Sequence, residues 1–134
     1  MFLIKNSSVA SYMKKILFIE DESALQKAMG KTLEKDGYDI ISALNGEEGL
    51  RLAQTKNPDL IVLDLILPKL HGFEVLKKLK EDKKTQNIPV IILTNLEATQ
   101  DVEKAIKMGA TAYLVKSSYN LEEVTEKIKD VFNK

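Results

Sequence analysis

The chain has 134 residues, with twenty basic and twenty acidic side chains, one histidine and no cysteine. That length supports one domain burying roughly two thirds of its unfolded surface, and the balanced charge provides no field for nucleic acid or an anionic membrane. Without thiols there can be no disulfide framework, thiolate metal site or cysteine nucleophile, and His71 alone cannot build a multi-histidine zinc centre or a serine triad with a spare base.

The first residues stand apart. Met1-Phe2-Leu3-Ile4 is too short for a signal-peptide core or a membrane span, and Lys5 to Ser8 is polar linker material. Met13-Lys14-Lys15 directly precedes the first clear strand, so residues 1–12 are expected to be an extension dispensable for folding and residues 13–134 the folded unit. From there strands and helices alternate. Ile16 to Ile19 is a strand. Ser23 to Lys35 carries Leu25, Ala28, Met29 and Leu33 at helical spacing and stops at Gly37, a residue suited to a left-handed terminus; Gly30 within it costs about 1 kcal/mol relative to alanine. Tyr38 to Ser42, with Asp39 inside it, reads as an edge strand. Asn45 followed by Glu48 predicts a capping box opening a helix through Leu50 and Ala53.

Leu60 to Leu67 is a continuous apolar run broken only by Asp64 and closed by Pro68, the pattern of a strand buried on both faces of a parallel sheet. Phe73 to Glu81 follows as a helix with Val75, Leu76 and Leu79 inward and five lysines between Lys77 and Lys84 facing water. Ile88 to Leu93 is a second fully apolar strand, and Gln100 to Met108 a helix that Thr99 can cap and Gly109 can end. Ala110 to Val115 is the last strand. Asn120 and Glu123 form another capping box, with Leu121, Val124, Ile128, Val131 and Phe132 as the inward stripe of the final helix.

Five such units imply an α/β fold: a doubly wound five-stranded parallel sheet in the flavodoxin-like order 2-1-3-4-5, with helices on both faces. In that order the residues after the strands, Glu20-Asp21, Asp64, Thr94 and Lys116, gather at one edge of the sheet. Three carboxylates within about 4 Å repel by roughly 4 kcal/mol per pair at a surface-like dielectric, so a cation must offset them. Hard oxygen ligands select Mg²⁺, Mn²⁺ or Ca²⁺, and a shallow site with few protein ligands suits Mg²⁺ with water and a phosphate. With Lys116 as a point charge and Thr94 as a hydroxyl, the chemistry is phosphoryl transfer onto Asp64.

Residues 14 to 133 resemble a receiver domain of two-component response regulators, similar to the single-domain chemotaxis type. The resemblance rests on Glu20-Asp21, Asp64 before Leu67-Pro68, Gly72 opening the third helix, Leu93-Thr94, and Tyr113-Leu114-Val115-Lys116, at a spacing typical of that family. It implies that Asp64 is the phosphoacceptor. Asp21, Asp64 and the Ile66 backbone carbonyl would bind Mg²⁺, which Mn²⁺ could replace, with Glu20 assisting directly or through water. Thr94 would hydrogen-bond a phosphoryl oxygen, Lys116 would pair with the phosphoryl group, and Tyr113 would be an aromatic switch coupled to Thr94.

The resemblance further implies a cytoplasmic signalling switch rather than an enzyme, one that assists its own phosphorylation and dephosphorylation. Its phosphoryl donor would be a sensor histidine kinase or histidine phosphotransfer protein, and its readout the face of the fourth helix, fifth strand and fifth helix. With the sequence ending at Lys134, the output is expected to be another protein, with no direct nucleic-acid or membrane binding by a monomer or weak homodimer. The alternative is a receiver-like interaction module that works without phosphorylation.

Some positions depart from the family pattern. Ser117 stands where proline usually follows the lysine, and a cis bond without proline costs about 2.5 to 4 kcal/mol, so Lys116-Ser117 is expected to be trans. Asn95 occupies a position that is usually small. Ile66 and Leu96 flank the acceptor and could exclude hydrolytic water, so a long-lived phosphoryl group is expected. His71 is expected to be an exposed loop residue. A haloacid-dehalogenase-type phosphatase would need an acid two residues after Asp64, and a flavodoxin-type or dinucleotide binder a Ser/Thr- or glycine-rich first turn; the sequence has neither.

Overall fold

The apolar runs become the strands of a five-stranded parallel sheet in the order β2-β1-β3-β4-β5. The computed structural model describes residues 13–133. In chain order the elements are β1 (Lys15–Ile19), α1 (Ser23–Lys35), β2 (Asp39–Ala43), α2 (Gly46–Lys56), β3 (Leu60–Leu63), α3 (Gly72–Glu81), β4 (Val90–Thr94), α4 (Thr99–Lys107), β5 (Ala112–Val115), a 3-10 turn (Lys116–Ser118) and α5 (Leu121–Phe132). The extension expected over residues 1–12 lies outside the described residues.

Successive side chains of a strand point to opposite faces, and here both faces are covered. Leu17, Ile19, Ile61, Leu63 and Ile92 pack with Leu52, Ala53, Val75, Leu76, Leu79 and Ala105 of α2, α3 and α4. Ile16, Phe18, Leu60, Val62, Ile91 and Leu93 pack on the other side with Met29, Leu33, Val124 and Ile128 of α1 and α5. A strand buried on both sides has no polar alternation, which is why these runs are continuous in the sequence. β2 lies at the edge, with Asp39 exposed.

Several local expectations are corrected. Ala28 is exposed, and the inward stripe of α1 instead includes the buried Gln26. Thr99 is the first helical residue of α4 rather than its cap: Ala98 precedes the helix and offers no side-chain oxygen. Asn45 caps Glu48 N, but only Asn120 and Glu123 form the reciprocal box. Leu121 is exposed at the start of α5. Of the five lysines, Lys80 turns back, donating to the carbonyls of Gln86 and Ile88 at 3.0 and 2.9 Å, and burial lowers its pKa. His71 is exposed as expected and caps α3, its Nδ1 accepting from Phe73 N at 3.2 Å. Gly37 and Gly109, which follow α1 and α4, take positive φ values of 95° and 106°.

Candidate functional site

In parallel strands the carboxyl ends share one rim, and backbone hydrogen bonds continue the sheet just past the last paired residues. Glu20 N donates to Ala43 O, and Asp64 N donates to Ile19 O, both at 3.0 Å. The acids therefore leave the sheet from fixed backbone positions. Gly72 lets α3 start directly against this rim: a Cβ there would lie 2.3 Å from Leu65 Cα and 2.4 Å from Asp64 O. Gly72 N also donates to Leu65 O at 2.9 Å.

Glu20 and Asp64 are almost fully buried, Asp21 is exposed, and one carboxylate oxygen from each lies within 4.8 Å of the others. Lys116, projecting from the end of β5, bridges this group. Its Nζ is 2.9 Å from Asp64 Oδ2 and 2.7 Å from Glu20 Oε1. No peptide bond among the described residues is cis, so Lys116 reaches the acids across the expected trans bond to Ser117. Thr94 ends β4 fully buried, its Oγ1 accepting from Leu96 N at 3.4 Å. Tyr113 is half-buried and donates through its hydroxyl to Leu96 O at 2.6 Å, which links β5 to the loop after Thr94. Ile66 N donates to Asp64 Oδ1 at 3.1 Å.

The charges are not balanced by protein alone. Burial pushes the Glu20 carboxyl up to about 7 and the nearby Asp64 charge adds to this, against the hydrogen bonds from Lys116 and the Glu22 backbone. Burial opposes charge on Lys116 too, but its hydrogen bonds to Glu20, Glu22 and Asp64 outweigh that and raise its pKa. Tyr113 is raised by burial and then by the charges of Asp101 and Asp64. A cluster of carboxylate oxygens, with the Glu20 carboxyl raised by burial, fits a hard divalent cation such as Mg²⁺ or Mn²⁺. Burial removes water from around Glu20 and Asp64 and strengthens their interactions with Lys116.

Two residues at the rim escaped sequence reasoning. Glu22 holds Lys116 from the solvent side at 2.7 Å, and nothing in its spacing sets it apart from its acidic neighbours. Gln26 inserts its side-chain amide beneath the rim. A signal for Gln26 was present, since it lies on the same helical stripe as Met29 and Leu33.

The family profile described as the response regulator receiver domain matches residues 16–129. The chain belongs to this family. PhoP of Bacillus subtilis, the alkaline phosphatase synthesis transcriptional regulatory protein, is 39% identical over 121 residues, covering 90% of this chain and 49% of PhoP. The chain spans about half the length of this and the other transcriptional regulators it matches first. The receiver domain of the Francisella response regulator 1452 superposes with a TM-score of 0.81 at 31% identity, covering 90% of this chain and 97% of that one. The Mn²⁺-bound form of response regulator Rcp1 superposes with a TM-score of 0.76 at 30% identity, over 88% of this chain and 91% of that one. Receiver domains of two-component systems are signalling domains rather than enzymes in the ordinary sense; they bind Mg²⁺ at an acidic pocket and interact with histidine kinases and downstream targets. No helix among the described residues is long and apolar enough to cross a membrane.

Proposed function

We propose that this receiver is a phosphorylation-dependent switch in which Asp64 accepts a phosphoryl group from the phosphohistidine of a sensor kinase or phosphotransfer protein. The observation that carries this is the Lys116 ammonium 2.9 Å from Asp64 Oδ2, beside three carboxylates that share a space of ion size. An Asp64 oxygen attacks phosphorus in line, the phosphorus–nitrogen bond breaks, and its electron pair returns to the donor imidazole. Glu20, Asp21, Asp64 and the Ile66 backbone carbonyl would hold Mg²⁺, or Mn²⁺ in its place, which supplies charge neutralisation at the phosphoryl oxygens. Lys116 meets the developing charge from the β5 side, and the Thr94 hydroxyl donates to a phosphoryl oxygen. Catalysis is then positioning and electrostatics, with no general base required.

The new charge and acceptor oxygens bias a two-state element. Thr94 turning to the phosphoryl group gives up its contact with Leu96 N, and Tyr113, tied to Leu96 O, moves with that loop. The face of α4, β5 and α5 changes and a downstream protein reads it. Ile66, which is 52% exposed, and the half-buried Leu96 flank the acceptor; if they keep hydrolytic water away, mass spectrometry of the purified phosphoprotein after removal of the donor should show slow loss, and rapid loss would contradict this shielding. The switch is tested by adding Mg²⁺ and beryllofluoride while following the Tyr113 ring by NMR. A shift that requires both additions is expected, whereas no response to either would leave an interaction module that works without phosphate.

A further inference from the structure

Among the described residues a single carboxamide side chain is buried, that of Gln26 in the first turns of α1, and it lies directly beneath the acidic rim. Its Nε2 donates to Ala43 O at 2.6 Å and Glu20 O at 2.8 Å, with a longer contact to Phe18 O at 3.4 Å. The same Ala43 carbonyl accepts from Glu20 N, and Glu20 Oε2 accepts from Glu22 N at 3.1 Å. Glu20 is therefore held at its amide, its carbonyl and its carboxylate.

The Glu20 carbonyl belongs to the peptide unit that joins the two acids. That unit is planar, so fixing its oxygen fixes the direction in which the chain enters Asp21. Asp21 is exposed, beyond the last sheet hydrogen bond of β1, and rotation of this peptide would swing its carboxylate away from Asp64. An apolar residue at position 26 would fill the inward stripe of α1 equally well, but would take away the donor that the Glu20 carbonyl now has.

We propose that Gln26 is a positioning residue for cation binding: its carboxamide locks the peptide between Glu20 and Asp21 so that both acids face Asp64. This deepens, and rests on, the metal-assisted phosphoacceptor function proposed above. Groups that orient ligands from behind are worth about 10-fold or more in metal affinity. The test is Mn²⁺ binding to the full chain by electron paramagnetic resonance, comparing the native protein with Gln26→Met, which keeps length but has no donor. The expected result is a Kd about 10-fold weaker for Q26M, with circular dichroism showing an unchanged fold. A merely structural role would lower stability and leave the Kd of the folded fraction unaltered, and that result would overturn the proposal. Should Q26M fail to fold, the native protein decides: the Gln26 side-chain amide protons should shift along the Mg²⁺ titration, and silence there while the site saturates would overturn it. Failure of the native protein to bind Mn²⁺ would instead remove the metal-assisted function itself.

Discussion

At the scale of single residues, Lys116 shows how this receiver manages without the proline usual after the lysine. Three carboxylates hold the ammonium, so its aim comes from charge rather than from a bent backbone. Removing that charge leaves Glu20 and Asp64 buried and facing each other with no counter-ion, and takes from the transition state its donor on the β5 side. Lys116→Met is therefore expected to slow phosphorylation by acetyl phosphate about a hundredfold, the usual cost of losing one electrostatic stabiliser, as measured by intact mass against time. An unchanged rate would mean that the ammonium only neutralises resting charge. Glu20 and Lys116 were legible as strand-end residues because each directly follows an apolar run. Glu22 was not, because its role depends on a backbone turn that brings separate segments together, and Gln26 was legible only as a member of the α1 stripe, not as a donor to the rim.

At the scale of elements, the rim is made by how closely α3 approaches β3. The apolar run at 60–67 and the turn after it were readable, but the close approach at Gly72 was visible only as a helix-opening glycine. A methyl group at this position meets backbone atoms of Leu65 and Asp64 at 2.3 and 2.4 Å, which a side-chain rotation cannot relieve. Gly72→Ala is expected to cost about 1 to 3 kcal/mol of stability in urea titration and also to lower phosphoryl uptake by displacing Asp64. A variant with native stability and uptake would show that α3 can retreat without moving the acceptor. Helix boundaries were less legible than helix faces: Thr99 looked like a cap because hydroxyls favour that role, yet the chain is already helical there, with Ala98 as the preceding residue. Ala28 failed for a related reason, since small apolar residues satisfy either face of a helix and hydrophobic spacing cannot choose between them.

At the scale of the whole molecule, stability and ion binding share one carboxyl. The folded Glu20 carboxyl titrates near 7 against an ordinary 4.5, so between these values the folded state holds a proton that the unfolded state has released. The Glu20 contribution to stability thus falls as pH rises through that window, and above about pH 7 its cost is fully present. Without metal, the native protein should lose melting temperature relative to Glu20→Gln between pH 5 and pH 7.5, and Mg²⁺ should recover the loss at the higher pH. Parallel curves for the two proteins would show that Glu20 titrates normally. The sheet order was readable because both-face burial and right-handed crossovers leave few arrangements, and that order is what assembles the rim from distant segments.

The central claim concerns the atom that takes the phosphoryl group. Intact-mass spectrometry after incubation with Mg²⁺ and acetyl phosphate, on the native chain and Asp64→Asn in parallel, tests it most directly. One phosphoryl mass on the native chain and none on D64N is the expected result; equal labelling of both proteins, or none on either, would contradict it.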